Sequence, residues 1–251
     1  MSERAGKLSR PDGEHITWRR VEGRGPTVVW LGGFRSDMEG TKAQALADWA
    51  RAAGRSYLRF DYLGHGQSSG DFREKGTITR WREDALGVLD EMVEGPAILV
   101  GSSMGGWIAC LVAMARQDQV KALVLIAPAA DFTEKLIATE MPPQGRAALA
   151  ADGVWLRPSE YGEPYPITRT LIEDGARWSI LGADRVPIEV PTRILQGAAD
   201  PDVPWRHALE LAQALKGDDV VFSLIKDGDH RLSRPQDIAR LLGVLEELAA
   251  L

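Results

Sequence analysis

The chain has 251 residues, 44% of them hydrophobic, and a formal net charge of −6, which suits one sizeable α/β domain or one domain with an insertion. It carries no basic run, which argues against nucleic acid and anionic membrane surfaces as partners. No apolar run reaches the about 20 residues of a membrane helix, and the single cysteine, Cys110, leaves no intramolecular disulfide.

From the N-terminus, MSERAGKLSRPDGEH has no apolar core of the kind a secretory signal needs, so a cytoplasmic protein is expected. HITWRRVEG (15–23) reads as an early edge strand. PTVVWL (26–31), SYLRF (56–60), AILV (97–100), ALVLI (122–126), TRILQ (192–196) and VVFSLI (220–225) are short runs rich in Val, Ile and Leu with little polar alternation, as expected of strands covered on both faces. Helical patterns lie between them, at about 40–53, 78–93, 105–116, 205–215 and 235–250; in the last, Ile238, Leu241, Leu242, Leu245 and Leu248 form one apolar stripe. Strand–helix alternation predicts a mostly parallel sheet with helices on both faces. Residues 131–187 break the rhythm with helix-like pieces (FTEKLIATE, GRAALAAD, ITRTLIEDGARWSIL) and a Pro/Tyr/Trp-rich part, GVWLRPSEYGEPYP. A structureless loop of that length is out of place in a compact domain, so 131–187 is read as a cap inserted into a core of 1–130 and 188–251.

The stretch VGSSMGGW (100–107) fits G-x-S-x-G in one register, Gly101-Ser102-Ser103-Met104-Gly105, which makes Ser103 the candidate nucleophile. The spacing suits a strand that turns abruptly into a helix and carries a strained residue at its tip, over the C-terminal end of the sheet. A serine hydroxyl needs a base. Of His15, His65, His207 and His230, the first two precede Ser103, and His207 sits early in a predicted helix. His230, in the loop KDGDHRLS after the last strand, suits the order serine, acid, histidine. The acid is expected after TRILQ, where QGAADPDVPW offers Asp200 and Asp202. Asp200 is preferred because the turn lifts the first aspartate over the strand end; Asp227 and Asp229 are read as turn residues. Two backbone amides are expected to hold the oxyanion, those of Met104, next after the nucleophile, and of Phe34, in the loop WLGGFRSDMEG. Trp107, Trp155 and Trp205 are assigned to an apolar substrate pocket. LGHGQSSG (63–70) does not have dinucleotide-loop spacing, and His65 and Asp61 lack further metal-ligand partners at useful spacing, so neither a metal nor a cofactor is expected.

With these residues the chain resembles an α/β-hydrolase-fold serine hydrolase. GGFRSDMEGTKA, RFDYLGHGQSSG, WREDAL, VGSSMGGW, GVWLRPSEY, DPDVPW and DHRLS together resemble the mitochondrial acyl-protein thioesterases (depalmitoylases) of the α/β-hydrolase-domain group, also described as acyl-glucuronide esterases. The resemblance runs from about residue 25 to 240 and implies Ser103, Asp200 and His230 as a triad, with a small-molecule ester or an S-acylated molecule as substrate. Many relatives have His-Gly where this chain has Gly32-Gly33 and Gln196-Gly197. Neither position supplies a triad side chain, so the mechanism is expected to survive. Two other readings stand beside ester and thioester hydrolysis: cleavage of small peptides or amides by the same triad, and a non-catalytic binding protein on this fold.

Overall fold

The computed structural model describes residues 3–159, 163–182 and 185–250. In chain order the elements are β1 (Glu3–Ser9), β2 (His15–Val21), β3 (Arg24–Leu31), α1 (Thr41–Ala53), β4 (Arg55–Phe60), α2 (Phe72–Lys75), α3 (Ile78–Met92), β5 (Ala97–Ser102), α4 (Met104–Ala115) and β6 (Val120–Ile126). A six-residue π-helical turn (Thr133–Ala138) follows, then α5 (Pro143–Asp152), β7 (Val154–Arg157), β8 (Tyr165–Thr168), α6 (Arg169–Ala176), β9 (Thr192–Gly197), α7 (Trp205–Ala214), β10 (Val220–Ile225) and α8 (Pro235–Leu248).

Eight strands form one sheet in the order β1-β2-β4-β3-β5-β6-β9-β10. The six strands from β4 to β10 run parallel, and β1 and β2 are antiparallel additions at one side. Strand pleating sends neighbouring side chains to opposite faces. Val28, Trp30, Ile98, Val100, Val124 and Ile126 pack under α1 and α8. Val29, Leu31, Leu99, Leu123, Leu125 and Ile194 pack with α3, α4 and α7. Both faces are therefore covered, which is why these strands read as unbroken apolar runs.

The predicted core strands and helices are present, with ends moved by one or two residues. The differences have simple causes. One sheet edge is β1, not the segment 15–23, and the other is β10, whose VVFSLI is not covered on both faces as expected: Val221 and Leu224 are exposed. ERAGKLS is charged and shows no apolar pattern because only its pairing with β2, over seven residue pairs, makes it a strand. The predicted helix at 167–181 begins only at Arg169, because Tyr165–Thr168 pairs with Val154–Arg157 in a two-stranded antiparallel sheet, and Thr168 then caps α6 through the Leu171 amide.

The elements between β6 and β9 are tied down at both ends. Buried Asp131 accepts hydrogen bonds from the Ser179 hydroxyl and the Ile180 and Leu181 amides. Asp174 accepts from the Thr79 amide (2.7 Å) and hydroxyl (2.6 Å), which pins α6 to α3. Residues 160–162 and 183–184 of the segment read as a cap, including the end of GVWLRPSEY, lie outside the described residues. No helix among the described residues is long and apolar enough to cross a membrane.

Candidate active site

Ser103 stands between the end of β5 and the start of α4 with φ 55° and ψ −119°. For a residue with a side chain this conformation costs on the order of 1–3 kcal/mol and persists only where its surroundings enforce it. Here its N–H donates to the Ile126 carbonyl (2.9 Å), and its carbonyl accepts from the Gly106 (2.9 Å) and Ala129 (3.1 Å) amides. The flanking glycines are a steric requirement. A Cβ on Gly101 would lie 2.3 Å from the Gly105 carbonyl oxygen, and one on Gly105 would lie 2.1 Å from that of Leu31.

His230 follows β10, and its Nε2 lies 3.1 Å from Ser103 Oγ. On the other side of the ring, Nδ1 lies 2.8 Å from Asp200 Oδ2. The carboxylate can only accept, so Nδ1 carries the hydrogen and Nε2 is left to accept from the serine hydroxyl. Asp200, its side chain fully buried, is held in turn. Its Oδ1 accepts from the Asp202 and Val203 amides, both at 2.9 Å. Its Oδ2 accepts from Gln196 Nε2 at 3.1 Å. Asp202 thus contributes its amide to this network. Ligand atoms of Asp200, Asp202 and His230 fall within 4.8 Å of one another, but the Asp200 oxygens already face N–H donors. Gln196, read from sequence only as a departure from the relatives' His-Gly, is fully buried near the end of β9. An amide at that position, one turn before a candidate acid, was the available signal.

Met104 is the first residue of α4, so its amide is one of the unpaired donors of a helix start. The second expected amide lies in the loop after β3. Gly33 brings that loop against the nucleophile: a Cβ there would be 3.4 Å from Ser103 Cβ. Neither the Phe34 nor the Met104 amide has a protein acceptor among the described residues. The Phe34 ring is gripped edge-on by Phe72, Trp81, Phe132 and Tyr165, with centroids 5.2–5.8 Å away.

The next residue is held by an atom that sequence reasoning set aside. His65 Nε2 accepts from the Arg35 amide (3.1 Å), and its Nδ1–H donates to the Leu63 carbonyl (3.1 Å). Arg35 itself has a positive φ of 58°. Burial pushes the His65 pKa down to about 4, so the ring stays neutral and Nε2 stays an acceptor. Asp61 braces the same region by accepting from the Met38 (2.7 Å) and Gln67 (2.8 Å) amides, and burial raises its pKa to about 6. In sequence His65 sits in LGHGQSSG, a stretch that lacks dinucleotide-loop spacing and contributes to the family resemblance without assigning the ring a task.

Replacing His65 with glutamine should lower kcat by loosening the Phe34 loop while leaving the serine and its base in place. It should also change the acid sensitivity of the fold. The unfolded imidazole takes up a proton below about 6.5, while the folded one resists until about 4, so the wild type loses stability as pH falls across that window. The stability gap between wild type and H65Q should therefore shrink by about 3 kcal/mol between pH 7 and pH 4. Urea melts of both proteins at the two pH values measure it; a constant gap would mean that the ring is not buried and neutral.

The site opens into a cavity of about 590 Å³. Phe34, Phe132, Leu136, Ile137, Tyr165 and Ile167 make its apolar wall, and Ser36, Asp37, Thr41, Lys42, Asp202 and Arg231 are among its polar lining residues. The three tryptophans assigned to the pocket from sequence are not on its lining. Trp107 is fully buried in α4 and donates to the Trp178 carbonyl. Trp155 packs against α5, where a Cβ on Gly145 would touch it at 2.9 Å. Trp205 starts α7 under the Arg206 guanidinium. Aromatic composition identified large side chains but not the faces they occupy. His207, the other late histidine, is buried, with Nε2 donating to the Ala130 carbonyl (2.7 Å).

Comparisons with known proteins identify the family. Residues 26–171 match the Hydrolase_4 family model, described as serine aminopeptidase, S33. The mitochondrial palmitoyl-protein thioesterase ABHD10 of Bos taurus is 36% identical over 96% of this chain and 78% of its own length; the human protein is 35% identical over the same shares. Among solved structures, an Agrobacterium vitis protein described as a hydrolase superposes with a TM-score of 0.93 at 46% identity, covering 99% of this chain and 98% of that one. The mouse α/β hydrolase domain-containing protein 10 superposes with a TM-score of 0.90 at 34% identity, covering 98% of each. These relatives contradict the expected cytoplasmic location, since the ABHD10 proteins are described as mitochondrial. Seven of the 15 residues behind that expectation form β1, a paired strand of the domain, so their composition reports the fold rather than a compartment.

Proposed function

The chain belongs to the Hydrolase_4 family of α/β-hydrolases and is a hydrolase of ester or thioester bonds; on that premise we propose that it cleaves S-acyl and O-acyl substrates through an acyl-enzyme on Ser103. The observation that carries this reading is the hydrogen-bonded line Ser103–His230–Asp200 facing a cavity with one apolar wall.

Ser103 Oγ attacks the acyl carbon as His230 Nε2 takes its proton. The Phe34 and Met104 amides receive the oxyanion, and Asp200 stabilises the imidazolium. The thiol or alcohol leaves with the proton from Nε2. Water, deprotonated by His230, then releases the carboxylic acid and restores Ser103. Residues 131–187 serve as a cap: Phe132, Leu136, Ile137, Tyr165 and Ile167 from this segment supply most of the apolar wall, which receives the acyl chain. The palmitoyl-protein thioesterase relatives favour S-acylated molecules as substrates.

Matched thioesters and oxygen esters from acetyl to palmitoyl test the reading. The expected result is a thioester preference that rises with chain length, by about fourfold in kcat/KM per buried methylene until the cavity is full. A flat profile, or one favouring short oxygen esters, removes the long-chain assignment. Faster turnover of aminoacyl amides than of any ester favours peptide cleavage instead.

A further inference from the structure

β10 ends the sheet on the side away from β1 and pairs with β9 alone. At its two ends the Asp219 and Ile225 carbonyls accept from the Thr192 and Ala198 amides (2.9 and 2.8 Å), so the main-chain groups of its odd-numbered residues face β9. In a parallel pair the N–H and C=O of every second residue turn the other way. Those of Val220, Phe222 and Leu224 therefore point out of the sheet, and among the described residues they have no partner.

Strand edges in soluble proteins are usually blunted by a lysine, a proline or a bulge, because an open row of donors and acceptors is a template for another strand. VVFSLI carries none of these devices. It does carry two of the three large hydrophobic side chains that are exposed among the described residues, Val221 and Leu224, each 45% exposed. Pleating puts Leu224 on the same face as Val220 and Phe222, which pack in part against the α7 side of the core, and Val221 on the face of Ile225 and α8. The charges stand just outside the strand. Asp218 precedes it and Lys226 follows it; both are exposed, and among the described residues neither side chain makes an ion pair or a hydrogen bond.

We infer that β10 is a self-association edge, on which a second copy of this chain pairs its own β10 antiparallel about a two-fold axis at Phe222. Such an axis stands perpendicular to the sheet, so each residue meets one on the same face. Phe222 meets Phe222 of the second copy, and Val220 meets Leu224 of the second copy on either side; each pair exchanges the outward N–H and C=O groups that β9 leaves free. Leu224 is covered by Val220, and Val221 lies opposite Ser223. The same register brings Asp218 of each copy to Lys226 of the other, at both ends of the strand pair. That complementarity selects a second copy over a foreign strand, and it selects the register: an axis at Ser223 uses the same outward groups but sets Lys226 against Val220 and leaves Asp218 without a cation.

Sedimentation velocity from about 1 to about 300 μM protein in about 50 mM salt, with a thermal melt of each preparation, tests it. A six-residue edge is a small interface, so wild type should pass from monomer to dimer with a Kd of about 1–100 μM. Leu224→Pro removes an outward N–H and no bond to β9, a change that edge strands tolerate, and should raise Kd at least about tenfold. Lys226→Asp sets an aspartate against Asp218 at both ends of the pair and should raise Kd about tenfold. The double variant D218K/K226D exchanges the two charges and should return Kd to within about threefold of wild type. Both charge positions are exposed, so these two variants should melt with wild type, and they decide the matter if L224P melts early. A wild type that stays monomeric at about 300 μM overturns the second copy as occupant. A dimer unchanged in a folded L224P places the contact elsewhere and overturns it too, and a loss in K226D that the double variant does not restore overturns the register.

Discussion

Replacing Ser103 with alanine should lower kcat by about six orders of magnitude on any ester or thioester the wild type cleaves. The size of the effect follows from the chemistry removed. Without Oγ there is no acyl-enzyme, and His230 Nε2 has no hydroxyl to deprotonate. What remains is the Phe34 and Met104 amide pair and the cavity, which still favour a transition state attacked directly by water, so a residual rate above background is expected. The fold should not suffer. The Ser103 side chain has one hydrogen bond, to His230, whereas its backbone is held by Ile126, Gly106 and Ala129, and alanine keeps the Cβ that the turn already accommodates. A stability equal to or slightly above wild type is therefore the companion result, because the hydroxyl serves the reaction rather than the packing. Kinetics on a hexanoyl thioester, with a urea melt of the same preparation, check both halves. A folded S103A protein within tenfold of wild-type kcat would falsify the assignment of the nucleophile.

The parts of this molecule that could be read in its sequence are those in which a short pattern has one physical solution. GSSMG admits one register, and the close approach of Gly101 to Gly105 and of Gly105 to Leu31 explains why no other residue type fits there. AILV, ALVLI and TRILQ read as buried strands because helices cover both faces of the sheet. Illegible parts depend on partners distant in the chain. β1 is a strand only through β2, and β7 only through β8, since VWLR and YPIT are each too short to show a period. The π-helical turn at Thr133–Ala138 carries the same apolar spacing as an ordinary helix. His65 is the instructive case. Its neighbours in sequence are glycines, and its task is to accept a hydrogen bond from an amide 30 residues away, beside Phe34. Nothing local distinguishes that histidine from an idle one. The tryptophans failed in the opposite way: Trp107 is adjacent to the motif, but the helical turn after Ser103 directs it into the core.

Asp200→Asn is the sharper test of how the site is organised, because it removes no volume and breaks no close contact. The Asp202 and Val203 amides both donate to Oδ1, so an asparagine must keep its carbonyl oxygen there. Its NH₂ then takes the place of Oδ2 and faces two donors, His230 Nδ1–H and Gln196 Nε2. Gln196 cannot readily turn over, since the same Nε2 also donates to the Gly197 and Val203 carbonyls. The imidazole yields instead: it moves its hydrogen to Nε2 and accepts at Nδ1 from the new amide. That tautomer presents N–H to Ser103 Oγ and cannot take its proton. The expected loss in kcat is about 10⁴-fold, with substrate KM little changed. Asp202→Asn should cost far less, because the Asp200 turn uses the amide of residue 202 and not its carboxylate. Measuring kcat for D200N and D202N side by side separates the two aspartates that the sequence analysis weighed. Equal, small losses in both would mean that His230 is oriented by something other than Asp200, and a large loss in D202N alone would transfer the role to its neighbour.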